Sequence, residues 1–415
     1  MLYPLALVAL AGLATASPTV QPINFAAILA AATPSLTGPP VTAAVQTGVY
    51  NPAAASSAAS AAATGVASAS AASSLVARDV LEGRSFCFFG FCMGTPTPTT
   101  AKTPAAGWPA SSTKPAIAAV TSSATPVITS SAAVITAPST YPCSVQPDGN
   151  GPHVEPDTVE AFEAYPEFHQ AALTAITPAG YASTFRDLNA SVNANSYLGL
   201  HTLTSYDVAK CASLCDGDSL CTGINIYVER DPSINPAGCS CNNPASISNY
   251  KCTLWGSGVD KAAATNFGEG RESFHVVIAG SNGYEKTNNT TPATPSGWTN
   301  PQKCGGAVHN HPATCMGQTF FPGPFDINVC ATYAAAQNAK NSKSVGLSSW
   351  ASWFGYSPLK CNFFNAFMIK ENGVAKGTYC SLFTQQYAPS AASYKPEASG
   401  GISWGVESSW SFCSA

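Results

Sequence analysis

Between residues 205 and 278 the spacing of apolar side chains changes from a helical period to an alternating one. Cys211 and Cys215 stand four apart in a segment that begins near Asp207, so both thiols lie on one face of a predicted helix. Short extended segments follow, in which apolar and polar residues alternate as in half-buried strands. They span 221–228, 251–255 and 273–278. The pattern predicts an α+β fold.

A second helical segment precedes this region. Asp157 and Glu160 have the spacing of a capping box, and Phe162 and Phe168 supply apolar positions downstream. The segment is rich in acids and has no Lys or Arg. Calcium binding or an acidic active site would account for this, but a solvated helix face is the favoured interpretation. We therefore expect an N-terminal helical extension of the first folded domain.

The pattern of the first domain recurs later in the chain. Four pairs of segments match in order: 207–211 with 326–330, 221–231 with 361–371, 251–255 with 379–383, and 270–274 with 405–409. A polar stretch at 285–302 separates the two copies. The repeat predicts a first domain at 141–284, a linker at 285–302 and a second domain at 303–415.

The first 140 residues differ from the rest in composition. An apolar stretch at 5–13 precedes the small-residue pattern Ala14-Thr15-Ala16, so residues 1–16 resemble a secretory signal. Residues 17–140 are dominated by Ala, Ser, Thr and Pro, which supply too little apolar area to offset chain entropy. We expect a disordered stalk without a packed core. Within it, Cys87 and Cys92 enclose four residues and predict a local disulfide loop.

Charge and cysteine content narrow the class of protein. The net charge of −4 argues against a nucleic-acid surface. Fifteen cysteines in an exported chain are expected to form mostly disulfides. Cys143 is expected to pair with Cys239 or Cys241, and one thiol is left over. The sequons at Asn189, Asn288 and Asn289 indicate N-glycosylation. No membrane anchor is expected, because no other apolar run has spanning length and the chain ends without a hydrophobic tail.

The cysteine pattern of the first copy resembles that of the PAN/apple domain. Its elements are a helix with Cys211 and Cys215, a strand opening at Cys221, and Cys252-Thr-Leu254 on the next strand. The resemblance implies a helix stapled onto a small antiparallel sheet, with Cys211 bonded to Cys252 and Cys215 to Cys221. The second copy, which has Ala334 at one cysteine position, would then contain three further pairs: Cys330–Cys380, Cys315–Cys361 and Cys304–Cys413.

The folded region is also similar to a group of secreted fungal proteins, some of them labelled fruit-body specific protein D. The phrases that carry this similarity are 197–207, 225–232 and 279–284. It implies an extracellular fungal protein and transfers no catalytic residue.

Four patterns in the sequence are candidates for a binding, metal or catalytic site. Trp350, Trp353 and Tyr356 are the ligand-binding candidates, because loop aromatics stack on sugar faces, although a loop folded onto its own core is the commoner arrangement. His309 and His311 are two residues apart and are the candidates for chelating one ion, but a third ligand is not evident, so no metal or other cofactor is predicted.

The other two patterns point away from catalysis. Ser403 stands in a Gly-x-Ser-x-Gly run, but no His follows it as a hydrolase order requires. Glu229 and Asp231 flank Arg230 as a carboxylate pair, and a loop-anchoring ion pair is favoured over a glycosidase site.

Together these features predict a secreted, non-enzymatic binding protein of the cell surface or matrix. Its expected partner is cell-wall polysaccharide or another extracellular protein. A structural cell-wall glycoprotein and a secreted hydrolase with an unrecognised site are the alternatives.

Overall fold

The structure is a computed structural model of the 415-residue chain. It describes residues 23–33, 45–47, 50–64, 87–88, 91–92, 143–236, 240–287, 291–299, 301–346, 358–396 and 398–415. The chain divides into two compact units, one formed by Met1–Gly65 with Thr129–Ala415 and the other by Val66–Ile128.

Seven antiparallel strands form the first sheet of the larger unit. They are β1 (Val45–Thr47), β4 (Tyr181–Leu188), β6 (Tyr197–Leu203), β7 (Gly223–Pro232), β8 (Ser246–Trp255), β10 (Glu269–Arg271) and β11 (Phe274–Lys286). Their order is β1-β6-β8-β7-β11-β10, and β4 also pairs with β11. Two short strands, β5 (Ser191–Val192) and β9 (Ala264–Asn266), form a separate pair. This pair lies on one face of β7 and helices cover the other face, so every residue of β7 is buried.

Five antiparallel strands form the second sheet. They are β12 (Gln302–Gly305), β13 (Cys315–Pro322), β14 (Phe363–Glu371), β15 (Val374–Phe383) and β16 (Trp404–Cys413), in the order β12-β16-β14-β15-β13. The first sheet contains the same order in β4-β11-β7-β8-β6. The two halves of the unit therefore share one strand arrangement.

Six α-helices are described. They are α1 (Phe25–Ala30), α2 (Pro52–Ala62), α3 (Val159–Glu163), α4 (Pro166–Thr174), α5 (Val208–Asp216) and α6 (Ile327–Gly346), with short 3₁₀ turns at Lys261–Ala263 and Pro389–Ala391. The fold is mixed α+β with more strand than helix, as the sequence predicts in outline.

The three disulfides with both cysteines described staple helices to the sheets. Cys211–Cys252 joins α5 to β8, Cys215–Cys221 joins the end of α5 to the start of β7, and Cys330–Cys380 joins α6 to β15. These are pairings that the PAN/apple resemblance implies. Cys143 is also disulfide-bonded, whereas Cys241 is an exposed thiol.

Helix starts follow side-chain capping. Asp207 accepts the N–H of Lys210 and opens α5 where the pattern predicts it. The capping box predicted at Asp157 is wrong by one residue, because Thr158 is the N-cap of α3 and accepts the N–H of Ala161. Asp157 instead accepts hydrogen bonds from the backbone and hydroxyl of Ser246.

The expectation that residues 17–140 have no packed core needs correction. Ile28 of α1 and Ala59 of α2 are fully buried against the second half, and Asn24 and Asn51 cap the two helices. Composition misled the prediction because alanine adds little apolar area, yet its small side chain lets a helix approach its neighbour closely. Parts of this segment are therefore built into the folded unit.

The two halves of the unit share one hydrophobic cluster. Trp255 and Tyr197 of the first half pack with Met368 and Ala375 of the second. Lys370 adds an ion pair across this boundary, 2.7 Å from Asp260 of the first half, and it also lies 2.7 Å from Glu407 of its own half. Contacts of this kind hold the two sheets together.

The smaller unit contains one described hairpin. Its strands are β2 (Cys87–Phe88) and β3 (Phe91–Cys92), and Cys87 lies directly opposite Cys92. This backbone register agrees with the local loop predicted between the two cysteines.

Candidate functional site

Both sheets contain a β-bulge at the same register. In the first half the bulge falls between Ala279 and Asn282 of β11, and in the second it falls between Glu407 and Trp410 of β16. Gly280 and Ser408 are the residues with positive φ, at 59° and 52°. The fourth segment match predicted from sequence is therefore shifted in register, because position 281, not 274, corresponds to Ser409.

A buried asparagine holds each bulge. The amide of Asn225 donates to the Ser281 hydroxyl at 2.8 Å and to the Asn282 carbonyl at 2.9 Å, and its oxygen accepts the N–H of Val192. The side-chain oxygen of Asn225 holds β5, which covers the sheet here, and its amide group holds the bulge, so one side chain determines the local geometry.

Asn365 repeats these bonds in the second half. Its amide donates to the Ser409 hydroxyl at 3.1 Å and to the Trp410 carbonyl at 2.9 Å, while its oxygen accepts the N–H of His309. Sequence reasoning missed both asparagines, although each stands four residues after an aligned cysteine, Cys221 or Cys361. That shared spacing was the available signal.

The two bulges differ in what covers them. A Cβ on Gly280 would lie 2.7 Å from the carbonyl oxygen of Phe168, so α4 closes the first bulge completely. Tyr206 also donates its hydroxyl to the Gly280 carbonyl at 2.6 Å. The first bulge is therefore inaccessible.

The second bulge borders a cleft of about 280 Å³. It is lined by Lys303, Gly305, Gly306, Val406, Glu407, Ser408, Ser409 and Trp410. β12 bulges here as well, since its pairing with β16 shifts at Cys304 and Gly305 has a φ of 66°. Two facing bulges thus open the sheet edge where the first half is closed.

The polar side chains of the cleft differ in whether they are available to bind a ligand. Glu407 is committed, because one oxygen accepts the N–H of Gly258 at 2.6 Å and the other lies 2.7 Å from Lys370. Lys303 is exposed and offers its ammonium group to solvent. Ser408 is held in a left-handed conformation that L-residues disfavour, and such strain concentrates at functional positions. The cleft offers the Lys303 cation, the Ser408 hydroxyl and glycine backbone to a small polar group, since the Ser409 hydroxyl is buried against Asn365.

Next to the cleft, the thiol of Cys304 lies in a chain of polar contacts. Its Sγ is 3.4 Å from the Ser411 hydroxyl and 3.6 Å from Nε2 of His309. Nδ1 of His309 is 3.1 Å from Nε2 of His311, whose ring stacks on Tyr387 with 3.6 Å between centroids. The structure brings the two predicted histidines together with a cysteine.

Burial keeps this group neutral. It raises the pKa of the Cys304 thiol, and it lowers the pKa of His309 to about 4 with a smaller contribution from His311. A cysteine nucleophile needs thiolate character, so this pair is not poised for attack. Among the described residues, no group of three or more His, Cys, Asp or Glu is arranged to hold a metal ion.

The predicted clasp Cys304–Cys413 is wrong, and both residues are thiols. Cys304 lies beside Ser409 and Trp410 in the ladder, three or four residues from Cys413 along β16. At about 3.3 Å per residue this places the Cα atoms beyond the roughly 7 Å limit of a disulfide.

The predicted Cys315–Cys361 bond is also corrected, because Cys361 is a buried thiol. Its Sγ points to the Phe363 carbonyl at 3.3 Å and that of Cys315 to the Gly317 carbonyl at 3.6 Å. Burial raises the pKa of Cys361 to about 12, and the neighbouring Cys315 adds to the effect. The two thiols lie near each other but point toward their own strands.

The carboxylate pair of β7 lies in the interior and not at a loop. Lys251 Nζ is 3.7 Å from Glu229 and 3.6 Å from Asp231, and all three side chains are buried. Burial, with the charge of Asp231, raises the pKa of Glu229 well above its usual range. Arg230 points to the opposite face, where it lies 2.7 Å from Asp157. The predicted ion pair therefore exists, but with different partners. Lys251 was not predicted as a partner, because it occupies a polar position in an alternating strand pattern, which normally faces solvent.

The remaining candidate residues from the sequence lie either on the surface or outside the described part of the chain. Asn189 is exposed after β4, accessible as a glycosylation acceptor requires. Ser403 lies in the turn before β16 and donates its N–H to Asn372. The binding candidates Trp350, Trp353 and Tyr356 and the sequons at Asn288 and Asn289 lie outside the described residues.

Comparisons with protein-family models, curated proteins and solved structures found no match for this chain. Within the described part of the chain, no helix has the length and apolarity needed to span a membrane.

Proposed function

We propose that this chain is a secreted, non-enzymatic binding protein with two PAN/apple-like domains, which recognises a glycan or protein at a fungal cell surface or matrix. The cleft at Ser408 is the observation that carries the proposal. The same register position is sealed by α4 in the first half, so the open cleft is a local departure from a shared arrangement.

The size and lining of the cleft favour a small polar group. Ligand pockets typically measure about 300–1,000 Å³, and this cleft, at about 280 Å³, lies just below that range. It would accept one sugar residue or one side chain of a longer polymer. A hydroxyl, a lysine and exposed backbone around a bulged strand suit hydrogen-bonded recognition of this kind.

Two further observations support the extracellular setting. The helix staples Cys211–Cys252 and Cys330–Cys380 suit an oxidising compartment. Their connectivity in the first half is the one that the PAN/apple resemblance implies. Trp350 and Trp353 belong to the connection between α6 and β14, so they remain candidates for a second contact with the same ligand.

The test is depletion binding of the purified full chain to insoluble chitin, β-glucan and mannan. Gly306→Trp fills the cleft without backbone strain, because its Cβ would have 3.8 Å to the nearest atom. Gly270→Trp is the matched control, since Gly270 faces open space on β10 of the first half. We expect saturable depletion from one polymer and at least a tenfold loss with Gly306→Trp only.

The outcomes separate the parts of the proposal. Depletion that both tryptophan variants retain would place the ligand elsewhere, and Trp350→Ala plus Trp353→Ala would then be examined. Absence of depletion from every polymer would exclude the glycan and leave a protein partner.

A further inference from the structure

Residues 23–64 contact both halves of the folded unit although they stand far from it in sequence. β1 extends the first sheet by pairing antiparallel with β6, with Val45 opposite His201 and Thr47 opposite Gly199. α1 and α2 lie on the second half. The segment therefore spans the two sheets.

α1 supplies an apolar cover for the face of the second sheet opposite α6. Ile28 is fully buried, and the Phe25 ring stacks on Trp404 with centroids 4.5 Å apart. The backbone N–H of Asn24 donates to the Tyr379 hydroxyl at 3.2 Å. The aromatic face of β14, β15 and β16 is thus complete only when α1 is present.

Polar groups of the second half fix the start and end of α2. Before α2, the Tyr50 hydroxyl donates to Asp326 at 2.7 Å, and its ring fits against Gly323, where a Cβ would be 3.1 Å away. After α2, Gln337 accepts the N–H of Thr64 at 3.0 Å and donates to its carbonyl.

Lys340 donates to the carbonyl of Ala63, so a cation meets the carbonyl end of α2. Ala59 and Ala63 are buried against α6, whereas Ala61 faces solvent. A strand added at a sheet edge and a helix seated in a groove are two of the ways in which folded proteins hold peptide ligands.

The positions of the basic residues determine where a protease such as trypsin could separate residues 23–64 from the rest of the chain. Arg78 is the first Lys or Arg in the chain, and Arg84 is the next. A protease that cuts after basic residues therefore leaves residues 23–64 intact on one fragment. Apart from the hairpin at 87–92, the other described residues of the chain begin at Cys143.

We propose that residues 143–415 carry a peptide-docking surface whose occupant is residues 23–64 of the same chain, so that cleavage after Arg78 or Arg84 yields a two-chain protein. The occupant carries no charged side chain and contains α1, the strand β1 and the Ala/Ser-rich helix α2. Recognition depends on the β6 edge, the aromatic face and the α6 groove together.

The test is limited trypsin digestion of the full chain, followed by gel filtration with mass spectrometry of each peak. We expect the fragment ending at Arg78 to co-elute in buffer with a larger fragment that contains residues 143–415, and to separate from it in urea. Elution of that fragment alone in buffer would overturn the proposal. Elution of the uncut chain as a dimer that monomerises on cleavage would also overturn it, because a second copy would then donate the segment.

Two variants of one helix examine the surface itself. Ala59→Glu places a charge in the α6 groove, and Ala61→Glu places the same charge on the solvent face of α2. We expect Ala59→Glu to release the cut fragment at least tenfold more than Ala61→Glu. Equal retention by both would contradict the docking surface. The digestion of the wild-type chain does not depend on how these variants fold.

Discussion

The two halves of the unit solve the same problem, the attachment of a helix to a sheet, in different ways. In the first half, Cys215–Cys221 ties the end of α5 to the start of β7. In the second, Ala334 stands at the position of Cys215, and Asn338 and Asn341 of α6 bind the backbone that leads into β14. Asn338 accepts the N–H of Cys361 at 2.6 Å, and Asn341 donates to the Leu359 carbonyl at 2.9 Å.

The difference shows that hydrogen bonds can replace the disulfide between a helix and the following strand when the helix is long enough to contact the backbone before that strand. α6 extends well past its disulfide, and its added turns supply the asparagines and the groove for α2. The second half therefore depends on contacts outside its own sheet, and the first depends on covalent links within it.

Loss of the shared helix disulfide is expected to have the largest effect in both halves. A crosslink that closes a loop of this length contributes about 4 kcal/mol through the entropy of the unfolded chain; the sequence separations are 41 and 50. We expect Cys211→Ala plus Cys252→Ala, and Cys330→Ala plus Cys380→Ala, each to lower the free energy of unfolding by about this amount. Urea titration measures it.

Cys241→Ala is the control, because this thiol is exposed, and it should leave the urea midpoint unchanged. A cost below about 1 kcal/mol for the second pair alone would mean that packing of α6 against α2 replaces the disulfide, and the halves would differ more than their strand order suggests.

Exchanging the bulge residues sharpens the contrast between the closed and the open site. Gly280→Ser brings a Cβ to 2.7 Å from the Phe168 carbonyl at a positive φ, so we expect about 2 kcal/mol of destabilisation. Ser408→Gly removes the strain of a left-handed serine and should stabilise by about 0.5 kcal/mol. Thermal unfolding of both variants provides the measurement.

The signs of these two effects are the informative result. Destabilisation by Ser408→Gly would show that its side chain makes a contact stronger than the strain it relieves, and the serine would then be structural. Tolerance of Gly280→Ser would mean that α4 moves away easily, so the first bulge would not be sealed.

The contact that holds the covering helices of the first half should depend on pH. Burial raises the pKa of Asp157, but hydrogen bonds from Ser246 and the charge of Arg230 outweigh it and lower the pKa overall. A lowered pKa in the folded state stabilises above the unfolded value of about 3.9 and is lost as pH falls below it. We expect Asp157→Asn to cost about 1 kcal/mol at pH 7, since the site is partly exposed, and to cost progressively less as the pH falls through the lowered pKa of the folded state.

Asp148→Asn serves as the comparison, because Asp148 is exposed in the same extension and contacts only His153 among the described ion pairs. Equal urea midpoints for wild type and Asp157→Asn at pH 7 would show that the Arg230–Asp157 pair does not hold the extension.

Sequence patterns predicted the local elements well where periodicity was strong. The helix at Cys211, the strands through Ile226 and Cys252, and the cap at Asp207 all lie where expected, because burial on one face imposes a period on the sequence. Cysteine spacing, read through a family resemblance, supplied the three helix staples. The candidate cleft was not predicted, because a positive φ is usually marked in a sequence by glycine, and here the residue with that φ is Ser408.

What the sequence by itself determined is the set of elements and which of them a disulfide could join. Only the tertiary structure decided which faces are covered. Lys251 alternates like a surface residue, yet it is buried with Glu229 because a second layer of chain lies on that face. α2 has the composition of a stalk, yet it packs on α6. Burial depends on what lies opposite a residue in space, and a neighbour distant in sequence leaves no mark on local periodicity.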